Sequence, residues 1–144
     1  MARIIIDLPQ TFHFSTEVTI RIDDINYGGH LGNDALLSLL HEARVQMLKH
    51  YGWTELNVEG AGLIMSDAAI IYKSESFYGD VLVVHIAVSD LSRSGCDFVY
   101  RVSNKETGRE VAVARTGLVF FDYSIHKIVS IPEKFKVTFQ GTTA

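Results

Sequence analysis

One stretch of this chain repeats with the period of a helix, and most of the remainder alternates like strand. A lone helix with a wide apolar face must be covered, and here only strands can cover it. Leu36, Leu39, Leu40, Ala43 and Met47 recur at steps of three and four, and Leu37 and Leu48 widen the stripe. Ser38, Glu42, Gln46 and Lys49 fall on the other side. That spacing predicts an amphipathic helix over roughly 34–51, about 27 Å long at ~1.5 Å per residue. Asn33 or Asp34 can cap its start, and Asp34 suits the positive end of the helix dipole. Gly52 stands where a left-handed residue closes a helix.

The strands follow from two-residue alternation. Over 11–22, Phe12, Phe14, Val18, Ile20 and Ile22 share one face, while His13, Ser15, Glu17, Thr19 and Arg21 share the other. A connection at 53–60 leads to a strand over 63–74 that is apolar on both faces, which places it centrally or at a subunit contact. Asp67 inside it is either partnered or part of a site. A turn at 77–80 precedes a strand over 81–90, whose His85 reads as a packed or surface residue. Turns at 92–95, 104–108 and 124–127 separate strands over 98–103 and 111–123. Residues 1–10 read as a loose or edge segment, and 131–135 opens a tail able to add a helical turn or short strand. Consecutive strands with hairpin-length links give an antiparallel sheet with the helix on one face, an α+β arrangement of five or six strands.

The loop before the helix carries the chemistry. Asp24, Asn26, His30 and Asn33 crowd into a few residues with Gly28, Gly29 and Gly32. Glycines allow unusual dihedrals and close approach of a ligand. The helix N-terminus behind them offers free N–H groups to negative charge. A turn held by capping side chains would use the same residue types.

At 144 residues the chain has the size of one domain, 1–144. Hydrophobic residues reach 47% against 21% charged, so association that buries apolar surface is expected. A net charge of -4 without a basic run argues against nucleic acid or an anionic membrane as partner. The single cysteine, Cys96, cannot form an internal disulfide and reads as structural. Six scattered histidines offer no metal-ligand spacing, and no cofactor is expected. The first residues, with an apolar run broken at Asp7, do not read as a signal peptide, and no segment has transmembrane length. A reduced, cytoplasmic setting is expected.

Taken in order, Arg21, Asp24, Asn26, Gly29-His30, Asn33, Glu42-Ala43-Arg44, Tyr72, Gly79-Asp80 and Phe120-Phe121-Asp122 give the chain a family likeness. Over roughly 14–135 it resembles the hotdog-fold acyl-CoA thioesterases, in particular the 4-hydroxybenzoyl-CoA thioesterase-like group. The resemblance implies a curved sheet wrapped around the helix and protomers paired into a continuous sheet. It also implies active sites at the dimer interface, and often tetramers made of two dimers. Its implied activity is hydrolysis of an acyl-CoA thioester, with the helix N-terminus around 32–34 as oxyanion hole. One departure is Asn26, which stands where many relatives carry Asp and cannot act as a base near neutral pH. The catalytic set expected is therefore Asn26 and His30, which orient thioester and water, with Asp24 or Glu42 as base. Gly29, Gly32 and Asn33 are expected to line the substrate site. CoA is expected near Lys73 and the turn of Ser92, Arg93 and Ser94, and the acyl chain in an apolar slot between helix and sheet. Asp24 could instead cap its turn, and Glu42 could form a buried salt bridge. The rival from another class is a non-catalytic acyl-CoA or acyl-carrier binding module on the same scaffold. A hydratase is a further enzyme reading, but such enzymes usually need a longer double-domain chain or an Asp-x-x-x-x-His motif, and the loop before the helix carries no such motif.

Overall fold

A computed structural model describes residues 3–140. Strand β1 (Phe14–Thr19) leads through a 3₁₀ turn (Ile22–Asp24) and the glycine loop into helix α1 (Asn33–His50). Strands β2 (Gly62–Tyr72), β3 (Val81–Ser89), β4 (Gly95–Asn104) and β5 (Glu110–Asp122) follow, then a short β6 (Lys127–Ile128) and helix α2 (Glu133–Phe139). All pairings are antiparallel, in the order β1-β3-β4-β5-β2, with β6 added to β5.

Side chains of α1 reach both edges of this sheet and its middle. Gln46 meets Thr16 on β1, Arg44 meets Tyr100 on β4, and the Asn33 carbonyl accepts from Tyr72 on β2. One helix can touch both edge strands only if the sheet curls around it. The fold is thus the hotdog arrangement that the sequence resembles. Leu36, Leu40, Ala43, Met47 and Leu48 are buried against Ile86, Phe98, Tyr100, Ala114, Leu118 and Phe120 in one core.

The ends of α1 differ from each other. At the C-terminus Gly52 takes φ +84, its N–H meets the Lys49 carbonyl, and the Trp53 N–H meets the Leu48 carbonyl. This closure gives the carbonyls of the last turn further donors and needs a residue without Cβ strain. At the N-terminus Gly32, not Asn33 or Asp34, is the cap, and no side chain caps the first turn.

Several expectations change. β1 stops early because the Arg21 N–H bonds the Asp24 carboxylate and the Asp24 N–H bonds the Arg21 carbonyl, closing the 3₁₀ turn. Ile22 is thereby turned out to solvent. β2 is an edge strand rather than a central one, so of its two readings only the subunit contact remains open. Asp67 is partnered, by Arg115 at 3.2 Å, and Arg115 also meets Asp97. The C-terminal tail becomes α2, whose Phe135 and Phe139 close one end of the core against Trp53. Cys96 is buried, and burial pushes its thiol far up from the ordinary range, as suits a structural residue.

Candidate active site

The glycine loop is built by its own polar groups. The Asn26 side-chain oxygen accepts the Gly28 N–H at 2.9 Å, and the Asn26 carbonyl accepts the Gly29 N–H at 3.0 Å. The Asn26 N–H bonds the His30 carbonyl at 2.9 Å. Gly29 sits at φ +86, where a side chain would be strained. The Leu31 N–H then ties the loop to the Ser76 carbonyl at 2.8 Å, and the Gly32 N–H ties it to the Asp24 carbonyl at 3.0 Å. These bonds deliver the chain to the start of α1 at a fixed place. A Cβ on Gly32 would lie 2.8 Å from an Asp34 carboxylate oxygen, so glycine lets that carboxylate fold back over the helix start.

A cavity of about 260 Å³ opens there. His30, Gly32 and Asn33 form one wall and Tyr72, Lys73, Glu75 and Ser76 the other, with Leu31, Leu36 and Val111 as apolar lining. His30 is half-buried, and its Nε2 lies 3.8 Å from a Glu75 carboxylate oxygen. Phe77 meets the imidazole edge to face at 6.4 Å between centroids. The Tyr72 hydroxyl donates to the Asn33 carbonyl at 3.0 Å. Burial, and then the nearby Asp34 carboxylate, push the Tyr72 phenol above its ordinary range, so it remains a donor at neutral pH. The Ser76 hydroxyl is buried and has no hydrogen-bond partner among the described residues.

The expected site residues separate into three groups. His30, Gly32, Asn33 and Lys73 share the cavity, with Asn26 and Gly29 shaping the loop behind it. Lys73 is held by Glu110 at 2.9 Å, so little of its charge is free for a phosphate. Asp24 and Glu42 face a different hollow, together with Arg21, Ser38 and Gln46. Asp24 caps the 3₁₀ turn, and Glu42 is exposed and accepts from Gln46 at 2.7 Å. Glu42 thus forms no buried ion pair. That position belongs to Glu55, which bonds the buried Arg44 at 3.0 Å and also His41. Arg93 lies past the C-terminal end of β3, whereas the loop adjoins its N-terminal end, where Ile20 bonds Asp80. Nine residues of strand put these ends about 30 Å apart at ~3.3 Å per residue, so one protomer does not bring Arg93 to the cavity.

Glu75 and Ser76 were not singled out by sequence reasoning. They fall between the end of one alternating run and a turn, and no periodicity marks them. The available signal was weak: a carboxylate and hydroxyls packed into Ser74-Glu75-Ser76 beside a strand end.

The model of the thioesterase-like superfamily matches residues 20–139, which span the loop, α1, the whole cavity and β2 to β5. The chain belongs to this superfamily. A protein of Aquifex aeolicus (strain VF5) named "Putative esterase" is 33% identical over 95 residues, 65% of this chain and 71% of that protein. A 1,4-dihydroxy-2-naphthoyl-CoA thioesterase from Synechocystis superposes with a TM-score of 0.80 at 21% identity, over 89% of this chain and 96% of that one. A DHNA-CoA thioesterase from Staphylococcus aureus superposes with a TM-score of 0.76 at 21% identity, over 86% and 84%. At that identity the structures establish the hotdog fold, on which function still depends on the site. Among the described residues no helix is long and apolar enough to cross a membrane, and no group of acidic, histidine or cysteine side chains could hold a metal.

Proposed function

We propose that the protein hydrolyses acyl-CoA thioesters in the cavity at the start of α1. The observation that carries this reading is an uncapped helix N-terminus at the cavity wall, beside a half-buried histidine. The thioester carbonyl oxygen accepts from the first-turn backbone N–H groups, with the Asn33 N–H as principal donor. Water attacks the carbonyl carbon, negative charge collects on that oxygen, and the C–S bond then breaks to release acid and thiol. A preorganised donor of this kind is worth about 2.7–4 kcal/mol in the transition state. Asn26 sets the loop that presents His30, and His30 orients substrate and water. The acyl group lies against Leu31, Leu36 and Val111. Because Tyr72 ends the edge strand β2 and Lys73 follows it, a second copy paired along that edge would close the cavity, and we place the active assembly at a homodimer or a pair of dimers.

Asn33→Pro tests the oxyanion hole directly. Proline is tolerated at the first helical position, and Gly32 at φ -72, ψ 150 already has the extended conformation required before proline. The substitution deletes one N–H and keeps the carbonyl that Tyr72 bonds. With acetyl-, butyryl- and benzoyl-CoA and a free-thiol readout, kcat should fall about 10²–10³-fold with little change in Tm. Equal rates in variant and wild type would rule out this donor.

One observation favours a second reading. The Asn26 side chain holds the loop and stands where relatives carry a carboxylate, which suits a module that binds acyl-CoA without turnover. Saturable acyl-CoA binding with no thiol release would select it.

A further inference from the structure

Hydrolysis at this site requires a base, and the two acids expected from the sequence open onto another hollow. The acid across the cavity from His30 is Glu75, and we propose that Glu75 is the general base; this rests on the thioesterase reading above. Three observations support it. Glu75 and His30 line the same cavity as Asn33, with 3.8 Å between the carboxylate oxygen and Nε2. At that separation a single water can reach both atoms. The neighbouring cation does not engage Glu75, because Lys73 is held by Glu110, and among the described residues His30 is the one ion-pair partner of Glu75. The imidazole also packs against Phe77, edge-on at 6.4 Å between centroids.

The step balances without any further reagent. A water held between His30 Nε2 and the Glu75 carboxylate gives one proton to Glu75 as its oxygen bonds the thioester carbon. The tetrahedral oxyanion rests on the Asn33 N–H. When the C–S bond breaks, Glu75 returns the proton to the leaving thiolate, giving acid and thiol. The other ionisable groups lining the cavity are Tyr72, at the end of β2, and Lys73 just past it, and the Asp34 carboxylate of α1 acts on Tyr72. Tyr72, raised by burial and by the Asp34 carboxylate, stays protonated through the range in which a carboxylate titrates.

The test is the pH profile of kcat/KM, on whichever of acetyl-, butyryl- or benzoyl-CoA the wild type hydrolyses best. Wild type should lose activity on the acid side as one carboxylate is protonated. Glu75→Gln should lower kcat/KM about 10²–10⁴-fold and abolish that acid limb, while Glu75→Asp keeps the limb at an intermediate rate. Glu75 is exposed, so Tm should be unchanged in both variants. A purely structural role would not move the limb. Wild-type turnover with an intact limb in Glu75→Gln, or a limb that disappears in Asp24→Asn or Glu42→Gln instead, overturns the assignment of Glu75 alone. No turnover by wild type of any of the three thioesters overturns both this inference and the thioesterase reading.

Discussion

His13 sits where only a neutral ring fits. Its Nδ1 accepts the Val88 N–H at 3.0 Å, its Nε2 is buried without a partner among the described residues, and Phe139 packs edge-on at 5.0 Å. Burial lowers its pKa below 6.5. A group with a depressed histidine pKa binds fewer protons folded than unfolded, so stability rises with pH between the folded pKa and 6.5. The contribution is complete above 6.5 and is lost as pH falls toward the folded value. Asn supplies an oxygen where Nδ1 stands and does not titrate, so His13→Asn should flatten the dependence of Tm on pH on the acid side of 6.5. An unchanged slope in thermal melts would reject this role. Single residues also show why the site was only partly legible. Asn26, His30 and Gly32 stand close together in sequence, and a glycine loop before a helix has one physical use for free N–H groups. Glu75 reaches the same cavity from beyond the next strand, so only the antiparallel return of the chain brings it there. Asp24 lies in the right loop, yet its carboxylate is engaged in the turn that ends β1.

At the scale of elements, α1 is fixed to the sheet by a polar chain as well as by its apolar face. Arg44 is buried, with Nε on Glu55 at 3.0 Å and a terminal nitrogen on the Tyr100 hydroxyl at 3.1 Å; that hydroxyl meets Thr116 at 2.7 Å. Burial pushes the Glu55 carboxyl up, but hydrogen bonds from His41 and Arg44 outweigh it and hold the group below the usual carboxylate range. Removing one partner of such a pair strands a buried charge. Glu55→Leu should therefore cost about 2 kcal/mol, below the usual range for buried pairs because Glu55 is a quarter exposed. That corresponds to a Tm lower by roughly 4–8 °C. The double variant Arg44→Met/Glu55→Leu should recover at least half of the loss in chemical denaturation, and additive losses would show that the pair is not coupled. The period of α1 is a local property, so the helix was read within one residue of its start and end. Arg44 falls on the buried side of that period, and nothing local says that a distant Tyr100 will receive it. β2 was harder to place, because an apolar strand looks alike whether a neighbouring strand or a second copy covers it.

At the scale of the whole molecule, the curled sheet has β2 as one of its two edges. Past Leu63, whose N–H bonds the Glu55 carbonyl, no strand borders its outer side among the described residues, and Ile64, Met65, Ala68 and Tyr72 stay exposed on it. Met65 borders a hollow with Leu37, His41 and Arg44, and Tyr72 ends at the candidate cavity beside His30. Ser66, Asp67 and a bulge interrupt the apolar run at its middle, yet a long edge without a bordering strand or proline still offers a template for pairing. A second copy paired antiparallel across it would extend the sheet and lay its own α1 over the same open face. The composition pointed to association, and the resemblance implied a continuous sheet; β2 supplies the surface on which both can be tested. Light scattering coupled to gel filtration should give at least twice the 16.1 kDa chain mass. Met65→Lys places on that edge the residue that natural edge strands use against pairing. It should weaken association at least tenfold, about 1.4 kcal/mol, with an unchanged circular dichroism spectrum. Because Tyr72 and Lys73 then lose the neighbouring copy, kcat/KM should fall in step with the dimer fraction as the variant is diluted. A wild-type monomer, or a Met65→Lys monomer with full activity, would mean that one chain completes the site.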